Sequence, residues 1–206
     1  MGTRERRRRE AESRRQEILD AARKVFFESG YGGASMPRIA EAAELAPGTL
    51  YLYFPSKEAL YVELLLEGYD ILLDRLKAAA KRPDPPLALA GRLVDVFLKF
   101  AKTHPEYYDI IFFLVHRERS GGWEGSFPAD VVRRARAKEA LCKDIVAGVL
   151  ERAGYADPAA RAATLDAVWS MLSGVIFHFG ADPDGERVVR RAKELILAEL
   201  SVRSRT

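Results

Sequence analysis

The sequence predicts an all-α protein of about nine helices, and three observations support this. Apolar residues recur at helical spacing along most of the chain, no segment alternates as a strand does, and prolines or glycines interrupt the periodic segments. With 206 residues, 48% of them hydrophobic, the chain can bury a sizeable core in one or two domains.

Positive charge is concentrated at the N-terminus. The whole chain has 33 Lys and Arg against 30 Asp and Glu, a net charge of +3 that says little about function. Residues 1–15 contain seven Arg and three Glu, a local charge of +4. Such a run is most often a solvated tail. Beside a DNA-binding motif, a flexible arginine-rich arm is also suited to contact phosphates or the minor groove.

The first helix is predicted over residues 14–29. Its apolar positions follow helical spacing and are Ile18, Ala21, Ala22, Val25 and Phe26. Gly30 ends this helix, since glycine tolerates the left-handed conformation that closes many helices. Tyr31 is expected to pack beneath the segment that follows.

Two short helices joined by a tight turn are predicted over residues 35–54. The first spans residues 37–43. The second begins at Pro47, whose fixed φ and missing N–H suit the first position of a helix. Leu50 and Phe54 are four residues apart and therefore share an inward face, which leaves hydroxyls and aromatic rings outside. This pattern is typical of a helix-turn-helix, whose second helix enters the major groove of DNA.

Six further helices are predicted. A long one follows Pro55, with Ser56 as its N-cap, and runs through Leu76. Because it starts at the helix-turn-helix and continues into the second half of the chain, we expect it to couple the two. Consecutive prolines at 83–86 interrupt the chain. The remaining helices are predicted over 87–101, 107–115, 128–152, 158–179 and 188–200, with a glycine-rich loop at 117–127.

The sequence GTLYLYFPSKEAL at residues 48–60 is the most distinctive segment. Together with the helix from Arg14, the stop at Gly30 and the Ile39-Ala40 helix, it resembles the DNA-binding domain of the TetR family of bacterial repressors. The rest of the chain resembles this family only in its length and its helical content.

The resemblance implies an N-terminal three-helix helix-turn-helix DNA-binding domain and a C-terminal helical domain for ligand binding and dimerisation. We place a basic flexible arm at 1–13, the DNA-binding domain at 14–59, and the effector-binding and dimerisation domain at 60–206. A homodimer paired through the last two helices is also implied. The alternative is that the apolar stripes of these helices belong to the protein's own core.

The function implied is that of a cytoplasmic, ligand-responsive repressor. We expect such a repressor to bind a palindromic operator in double-stranded DNA and to be released by a small, mostly apolar effector. The sequence leaves open whether the effector releases or promotes DNA binding. The alternatives are a DNA-binding or architectural protein without an effector and, as the least favoured, a small helical enzyme.

Eight residues are predicted to contact DNA: Ser35, Arg38, Gly48, Thr49, Tyr51, Leu52, Tyr53 and Lys57. Tyr53 and Lys57 lie where the family contacts phosphates, which orient a protein on DNA without reading its sequence. The methyl groups of Leu52 can pack against a thymine methyl. Ser35 caps a helix, donates to a phosphate, or both. Ordinary packing beneath the motif is the alternative for Tyr51 and Tyr53.

The start of the recognition helix departs from the family pattern. Ala46 stands where members often have a serine, and it offers no oxygen to cap the helix. Contacts at this end are therefore limited to backbone N–H groups such as that of Gly48. Sequence readout is then expected to depend on Arg38, Thr49, Tyr51 and the arginine-rich arm.

Five residues are predicted to line an effector pocket: Phe97, Tyr108, Phe112, His116 and Trp169. Small-ligand pockets are mainly apolar, and the family places them among the middle helices. Tyr108, Phe112 and His116 are spaced four apart and can form one wall. Alternatively these aromatics belong to the core, and His116 lies at the surface or the core edge. The apolar lining suggests an aliphatic or aromatic effector, such as a fatty acyl compound.

An enzymatic function is not expected, nor is a cofactor or a bound metal. The three histidines are scattered, and the sequence has no HExxH pair, nucleophile elbow or phosphate-binding loop. The single cysteine, Cys142, lies on an apolar helix face, which favours an inert buried thiol. The sequence has no uninterrupted run of about 18 apolar residues, so a membrane-spanning helix is not expected.

Overall fold

The computed structural model describes residues 2–119, 129–180, 182 and 185–203, excluding the side chains at 113–119, 131, 202 and 203. Within these residues the protein is all-α and contains no strand, so the predicted fold class is confirmed. The helices of this part of the chain are α1 (Thr3–Gly33), α2 (Met36–Ala42), α3 (Pro47–Tyr53), α4 (Lys57–Ala80), α5 (Pro86–Thr103), α6 (Pro105–Arg119), α7 (Ala129–Arg152), α8 (Pro158–Phe179) and α9 (Gly185–Arg203).

The N-terminus differs from the prediction, because α1 begins at Thr3 and residues 3–13 are helical instead of forming a flexible arm. This stretch contains no proline or glycine, and its arginines and glutamates are good helix formers. The ion pair between Arg6 and Glu10, at 3.6 Å, joins successive turns and adds a little stability.

A break interrupts α1 near its end. Gly30 has φ 64° and ψ 177°, which places it in the region that side chains rarely adopt. The N–H of Ala34 then donates to the carbonyl of Gly30 at 3.2 Å. The predicted stop at Gly30 is therefore the point where the regular helix ends, and one further turn follows it.

The chain divides into two compact units. The first unit comprises Met1–Glu67 and Phe113–Ala135, and the second comprises Gly68–Phe112 and Arg136–Thr206. In the first unit, the apolar sides of α1 to α4 form a core that includes Ile18, Ala22, Ile39, Ala40, Leu50, Phe54, Leu60 and Leu64.

The turn between α2 and α3 is a Schellman motif. The N–H of Leu45 donates to the carbonyl of Ala40 at 2.8 Å, and the N–H of Glu44 donates to that of Glu41 at 3.0 Å. Glu44 has φ 54°, a left-handed conformation that usually requires glycine. The turn that orients α3 is therefore closed by a strained residue.

In the second unit, α5 packs against α8 and α9, which also pack against each other. Its core includes Leu72, Leu89, Leu93, Phe97, Phe100, Ile111, Val149, Leu165, Leu172 and Ile196. The predicted N-cap of α8 is confirmed, because the Asp157 carboxylate accepts from the N–H groups of Ala159 and Ala160 at 3.4 and 2.9 Å.

By length and composition, α8 could cross a membrane, and it is the one such helix among the described residues. Its most apolar 18-residue window has a mean hydropathy of 1.3, and 17% of that window is buried. The core helix of a soluble protein can pass the same test. The large apolar side chains of α8 that are exposed are Met171, Phe177 and Phe179.

Replacing Glu44 with glycine should raise the free energy of unfolding by about 0.5–1 kcal/mol, because the left-handed strain is relieved. Urea unfolding followed by circular dichroism measures the change. Glu41→Gly is the matched control, since Glu41 lies in regular helix, and it should lower the same free energy by about 0.5–1 kcal/mol. A loss of stability in both variants would contradict the account of the turn.

Candidate DNA-binding surface and effector cavity

Helix α3 has one buried face and one exposed face. Leu50 and Phe54 are only 0% and 2% exposed, as predicted from their spacing. On the other side Leu52 is 84% exposed and Tyr51 is 50% exposed. Thr49 and Tyr53 are half-buried at the edges of this face. The first unit therefore presents an apolar and hydroxyl-bearing surface to the solvent, as a recognition helix requires.

The first turn of α3 has no side-chain cap and is exposed to solvent. The side chain of Ala46 makes no capping hydrogen bond, and its carbonyl accepts from the N–H of Thr49 at 2.9 Å. Gly48 is exposed, and a Cβ added to it would meet no atom within 4 Å. The packing of the protein therefore does not explain a glycine at this position.

Ser35 and Arg38 are coupled at the start of α2. The hydroxyl of Ser35 accepts from the backbone N–H of Arg38 at 3.4 Å, so its capping role is confirmed. The exposed Arg38 side chain donates through Nη1 to the carbonyl of Gly33 at 2.8 Å. A guanidinium has five N–H donors, so this one bond leaves others available for a ligand.

The side chain of Lys57 forms hydrogen bonds with backbone carbonyls of the first unit. Its ammonium donates to the carbonyls of Tyr31 and Ala34 at 3.0 and 3.2 Å. The same Nζ lies 4.1 Å from the centre of the Tyr31 ring, a cation–π distance. Two of its three donors are therefore used to hold the turn after Gly30. One donor is left for the predicted phosphate contact.

Tyr31 packs against α1 and α4. Its ring lies 6.3 Å from that of Phe26 and 4.9 Å from that of Tyr61, and its hydroxyl donates to Glu58 Oε1 at 2.6 Å. Burial raises the pKa of Glu58, but hydrogen bonds, including that from Tyr31, and the charge of Lys57 lower it by more. Because the pKa is lowered on folding, this contribution to stability is present near neutral pH and is lost in acid.

The second unit contains an apolar cavity. About 830 Å³ of space not filled by atoms lies within its lining, and part of that space is open to solvent. Two predicted ligand contacts, Phe97 and Trp169, line it with ring centres 4.8 Å apart. The other lining residues come from α4, α5, α7, α8 and α9, and they are Tyr69, Leu72, Leu76, Ala90, Leu93, Val94, Glu139, Cys142, Lys143, Val146, Val149, Leu150, Leu165, Val168, Leu172 and Leu200.

Two other predicted ligand contacts lie outside this lining. The Tyr108 hydroxyl donates to the carbonyl of Ser173 at 3.1 Å, and burial raises the pKa of Tyr108 to about 12. Phe112 stacks on Phe177 with ring centres 5.3 Å apart. The predicted wall therefore differs from the structure, because contacts with α8 hold both rings. The side chain of His116 lies outside the described residues, as does most of the predicted loop at 117–127.

The prediction missed the part of the cavity formed by α7. Cys142 and Val146, four apart on this helix, both line the cavity, and their helical spacing was a usable signal. Burial raises the pKa of Cys142 to about 12, so its thiol is protonated near neutral pH. Lys143 lies 2.9 Å from Glu139 and 3.4 Å from Asp166, so the charged side chains at the cavity are paired.

Two further features bear on binding, namely the arrangement of possible metal ligands and the exposed apolar side chains of the last two helices. Among the described residues, no cluster of His, Cys, Asp and Glu has the arrangement of a metal site. On the last two helices, Phe177 and Leu195 are 64% and 48% exposed, which is unusual for such large apolar side chains.

Comparison with known proteins identifies the first unit. Residues 18–64 match the family described as bacterial regulatory proteins, tetR family. The HTH-type transcriptional regulator UidR of Escherichia coli K12 is 43% identical over 68 residues. This match covers 33% of the chain and 35% of UidR, so the chain spans about a third of the length of this relative.

Two solved structures share the fold over nearly the whole chain. The TetR family transcriptional regulator PfmR from Thermus thermophilus is 24% identical, with a TM-score of 0.68, over 88% of this chain and 97% of PfmR. The transcriptional regulator FadR from Bacillus subtilis, solved in complex with stearoyl-CoA, is 16% identical, with the same TM-score and the same coverage. Residues 18–64 are thus a region of the tetR family of bacterial regulatory proteins, and the chain as a whole shares the fold of these two solved regulators.

Proposed function

We propose that this protein is a cytoplasmic, ligand-responsive repressor that binds a palindromic operator as a homodimer. One observation carries the proposal: the outward face of α3, with Leu52 84% and Tyr51 50% exposed, is held by the buried Leu50 and Phe54. A short helix presented in this way fits the major groove, and the match of residues 18–64 to the tetR family supports this use.

Different residues of this surface have different roles in the proposal. Tyr51, Leu52 and Arg38 reach base edges, because they are the exposed long side chains of the motif. Thr49 and Tyr53 donate to phosphates from the edges of the α3 face, and the N–H of Gly48 does so at its start. Ser35 and Lys57 mainly orient the motif, since their polar atoms are bound within the protein. A dimer then places two copies of α3 one helical turn of DNA apart.

The cavity of the second unit is the proposed effector site. Its lining is apolar apart from a few side chains, and Glu139 and Lys143 are paired with each other. An aliphatic chain or an aromatic ring fits such a surface, because it needs no polar partner. The structure of FadR in complex with stearoyl-CoA supports a fatty acyl effector by analogy of fold.

In this proposal, the effector shifts the equilibrium between the DNA-bound and the DNA-free conformations of the protein. It can release the protein from DNA only if it binds the DNA-free conformation more tightly than the DNA-bound one. We propose binding and not catalysis, since the thiol at the cavity, Cys142, has a pKa of about 12 and is a poor nucleophile at neutral pH.

The proposed dimer pairs through α8 and α9. Large apolar side chains remain exposed on both helices, among them Met171, Phe177 and Leu195. Exposed apolar surface of this kind marks interfaces, because burial against a second copy removes it from water. A two-fold axis would bring the same two helices of each copy together.

The test of the proposed function is selection of duplexes from a random-sequence pool by the purified wild-type protein. The proposal predicts enrichment of a palindromic sequence whose half-sites lie about one helical turn, roughly 34–36 Å, apart. Tyr51→Ala should lose affinity for this sequence by about tenfold or more, equal to about 1.4 kcal/mol. Failure to enrich any sequence would contradict the proposal.

Gly48→Ala should weaken binding to the selected duplex by about tenfold, because a methyl group would separate the backbone N–H from a phosphate oxygen. The same change should leave the free energy of unfolding equal or up to about 1 kcal/mol higher, since alanine favours helix. Gly148→Ala in α7 is the matched control, as its added Cβ also meets no atom within 4 Å. Equal affinity for DNA in both variants and the wild type would remove Gly48 from the interface.

Cys142 allows a direct test of the cavity, because it is the one cysteine of the chain. Its raised pKa means that, at a given pH, less thiolate is present than in the unfolded protein. Alkylation by iodoacetamide at about pH 8 should therefore be at least about 100-fold slower in the native state, and should keep accelerating above about pH 9, where an ordinary thiol levels off. Intact mass spectrometry measures the rate.

Addition of palmitate should slow this native alkylation further by covering the thiol. Alkylation in urea, where the cavity is absent, is the control and should not respond to palmitate. A native rate independent of palmitate at saturating concentration would contradict an aliphatic effector in this cavity, and would favour DNA binding without such an effector.

Leu195→Asp should raise the dissociation constant of the dimer by about 100-fold or more, because one aspartate from each copy would enter an apolar interface. Leu141→Asp on α7 is the matched control, since Leu141 is 47% exposed against 48% for Leu195. Sedimentation equilibrium measures both variants. A dimer equally weakened by both substitutions, or by neither, would contradict pairing through α8 and α9.

A further inference from the structure

We propose that Ser173 and Tyr108 form a polar end of the effector site, where they bind the hydroxyl group of an uncharged alcohol or phenol. The apolar part of such an effector fills the cavity of the second unit. The inference rests on the proposed function, because it assigns the chemistry of the effector that binds at the same site. It adds to that site two residues that lie outside the cavity lining described above.

The hydroxyl of Ser173 is buried without a partner. Ser173 is only 4% exposed, and its Oγ forms no hydrogen bond within the part of the chain that the structure describes. Other helical hydroxyls donate to the carbonyl of the preceding turn, as Thr103 does to Lys99 and Thr164 does to Ala160, both at 2.8 Å. An unpaired buried hydroxyl is costly and rare, so Ser173 is suited to a partner that the protein chain does not supply.

The hydroxyl of Tyr108 lies at the same residue. It donates to the backbone carbonyl of Ser173 at 3.1 Å, which brings a second buried oxygen next to the serine. Burial raises the pKa of Tyr108 to about 12, so this hydroxyl stays protonated near neutral pH and its proton stays in the bond. The Tyr108 oxygen keeps lone pairs that can accept a hydrogen bond. The two side chains therefore offer one free donor and more than one acceptor.

Both residues adjoin the cavity lining. Ser173 directly follows Leu172 in α8 and lies one turn after Trp169, and both Leu172 and Trp169 line the cavity. Phe97 also lines it, and its ring centre lies 4.8 Å from that of Trp169 and 6.0 Å from that of Tyr108. Phe97 thus contacts both the cavity wall and Tyr108. The effector reaches the two hydroxyls by displacing this ring.

A hydroxyl group complements these two oxygens best. It can accept a hydrogen bond from the Ser173 hydroxyl and donate one to the Tyr108 oxygen. A carboxylate cannot donate, and its burial requires a cation or several hydrogen-bond donors. Lys143, the cation of the cavity lining, is already paired with Glu139 and Asp166. An uncharged hydroxyl group is therefore favoured over a carboxylate.

Three probes that differ in one substituent test the inference, namely 4-propylphenol, 4-propyltoluene and 4-propylbenzoate. The probe concentration that halves the rate of Cys142 alkylation by iodoacetamide measures each affinity, because Cys142 lines the cavity. Ser173→Ala should weaken binding of 4-propylphenol about three- to tenfold, since one hydrogen bond is lost, and should leave that of 4-propyltoluene unchanged. Ser170→Ala is the matched control and should change neither affinity, because Ser170 is an exposed serine of the same helix.

A second readout separates binding from a structural role. The urea midpoint of Ser173→Ala should equal or exceed that of the wild type, because alanine removes an unpaired buried hydroxyl and favours helix. A lower midpoint would overturn the inference, since it would show that the hydroxyl has a partner in the folded protein.

The affinities themselves can also overturn the inference. An unchanged affinity of Ser173→Ala for 4-propylphenol would do so, as would equal weakening of 4-propylphenol and 4-propyltoluene, because neither result depends on the hydroxyl of the probe. Tightest binding of 4-propylbenzoate by the wild-type protein would assign a carboxylate in place of an alcohol. These outcomes differ from failure of the proposed effector site, in which none of the three probes slows alkylation of the wild-type protein.

Discussion

The proposed DNA-binding surface depends on the burial of Leu50 and Phe54. A helix of seven residues is too short to be stable alone in water, so α3 exists because its inward face is covered. Burying two such side chains contributes about 3–6 kcal/mol, which exceeds any capping effect at its ends. The same burial fixes the rotation of the helix, and this rotation places Tyr51 and Leu52 in the solvent.

A second set of contacts holds the segment that precedes α2. The break at Gly30 leaves carbonyls without helical partners, and Lys57 donates to those of Tyr31 and Ala34 while Arg38 donates to that of Gly33. Cationic donors to backbone carbonyls are stronger than neutral ones. These bonds hold together the turn after α1, the start of α2 and the start of α4. In the proposed function, such residues position α3 and need not contact DNA themselves.

Much of this arrangement could be predicted from the sequence, because it depends on short-range rules. The capping roles of Ser35 and Asp157 follow from local hydrogen bonding, and helix faces follow from periodicity. The helical N-terminus was missed, since a run of arginines suggested a solvated tail although no residue breaks the helix. The position of Tyr108 outside the cavity lining was also missed. Its hydroxyl donates a hydrogen bond to the carbonyl of Ser173 in α8, 65 residues away in sequence. Long-range packing of this kind leaves no periodic signal.

The most direct measurement of the central claim is a crystal structure of the protein bound to a duplex that it has selected. The account predicts that the exposed face of α3, with Tyr51 and Leu52, lies in the major groove while Leu50 and Phe54 remain buried. A duplex bound to another surface, with this face of α3 left in solvent, would contradict it.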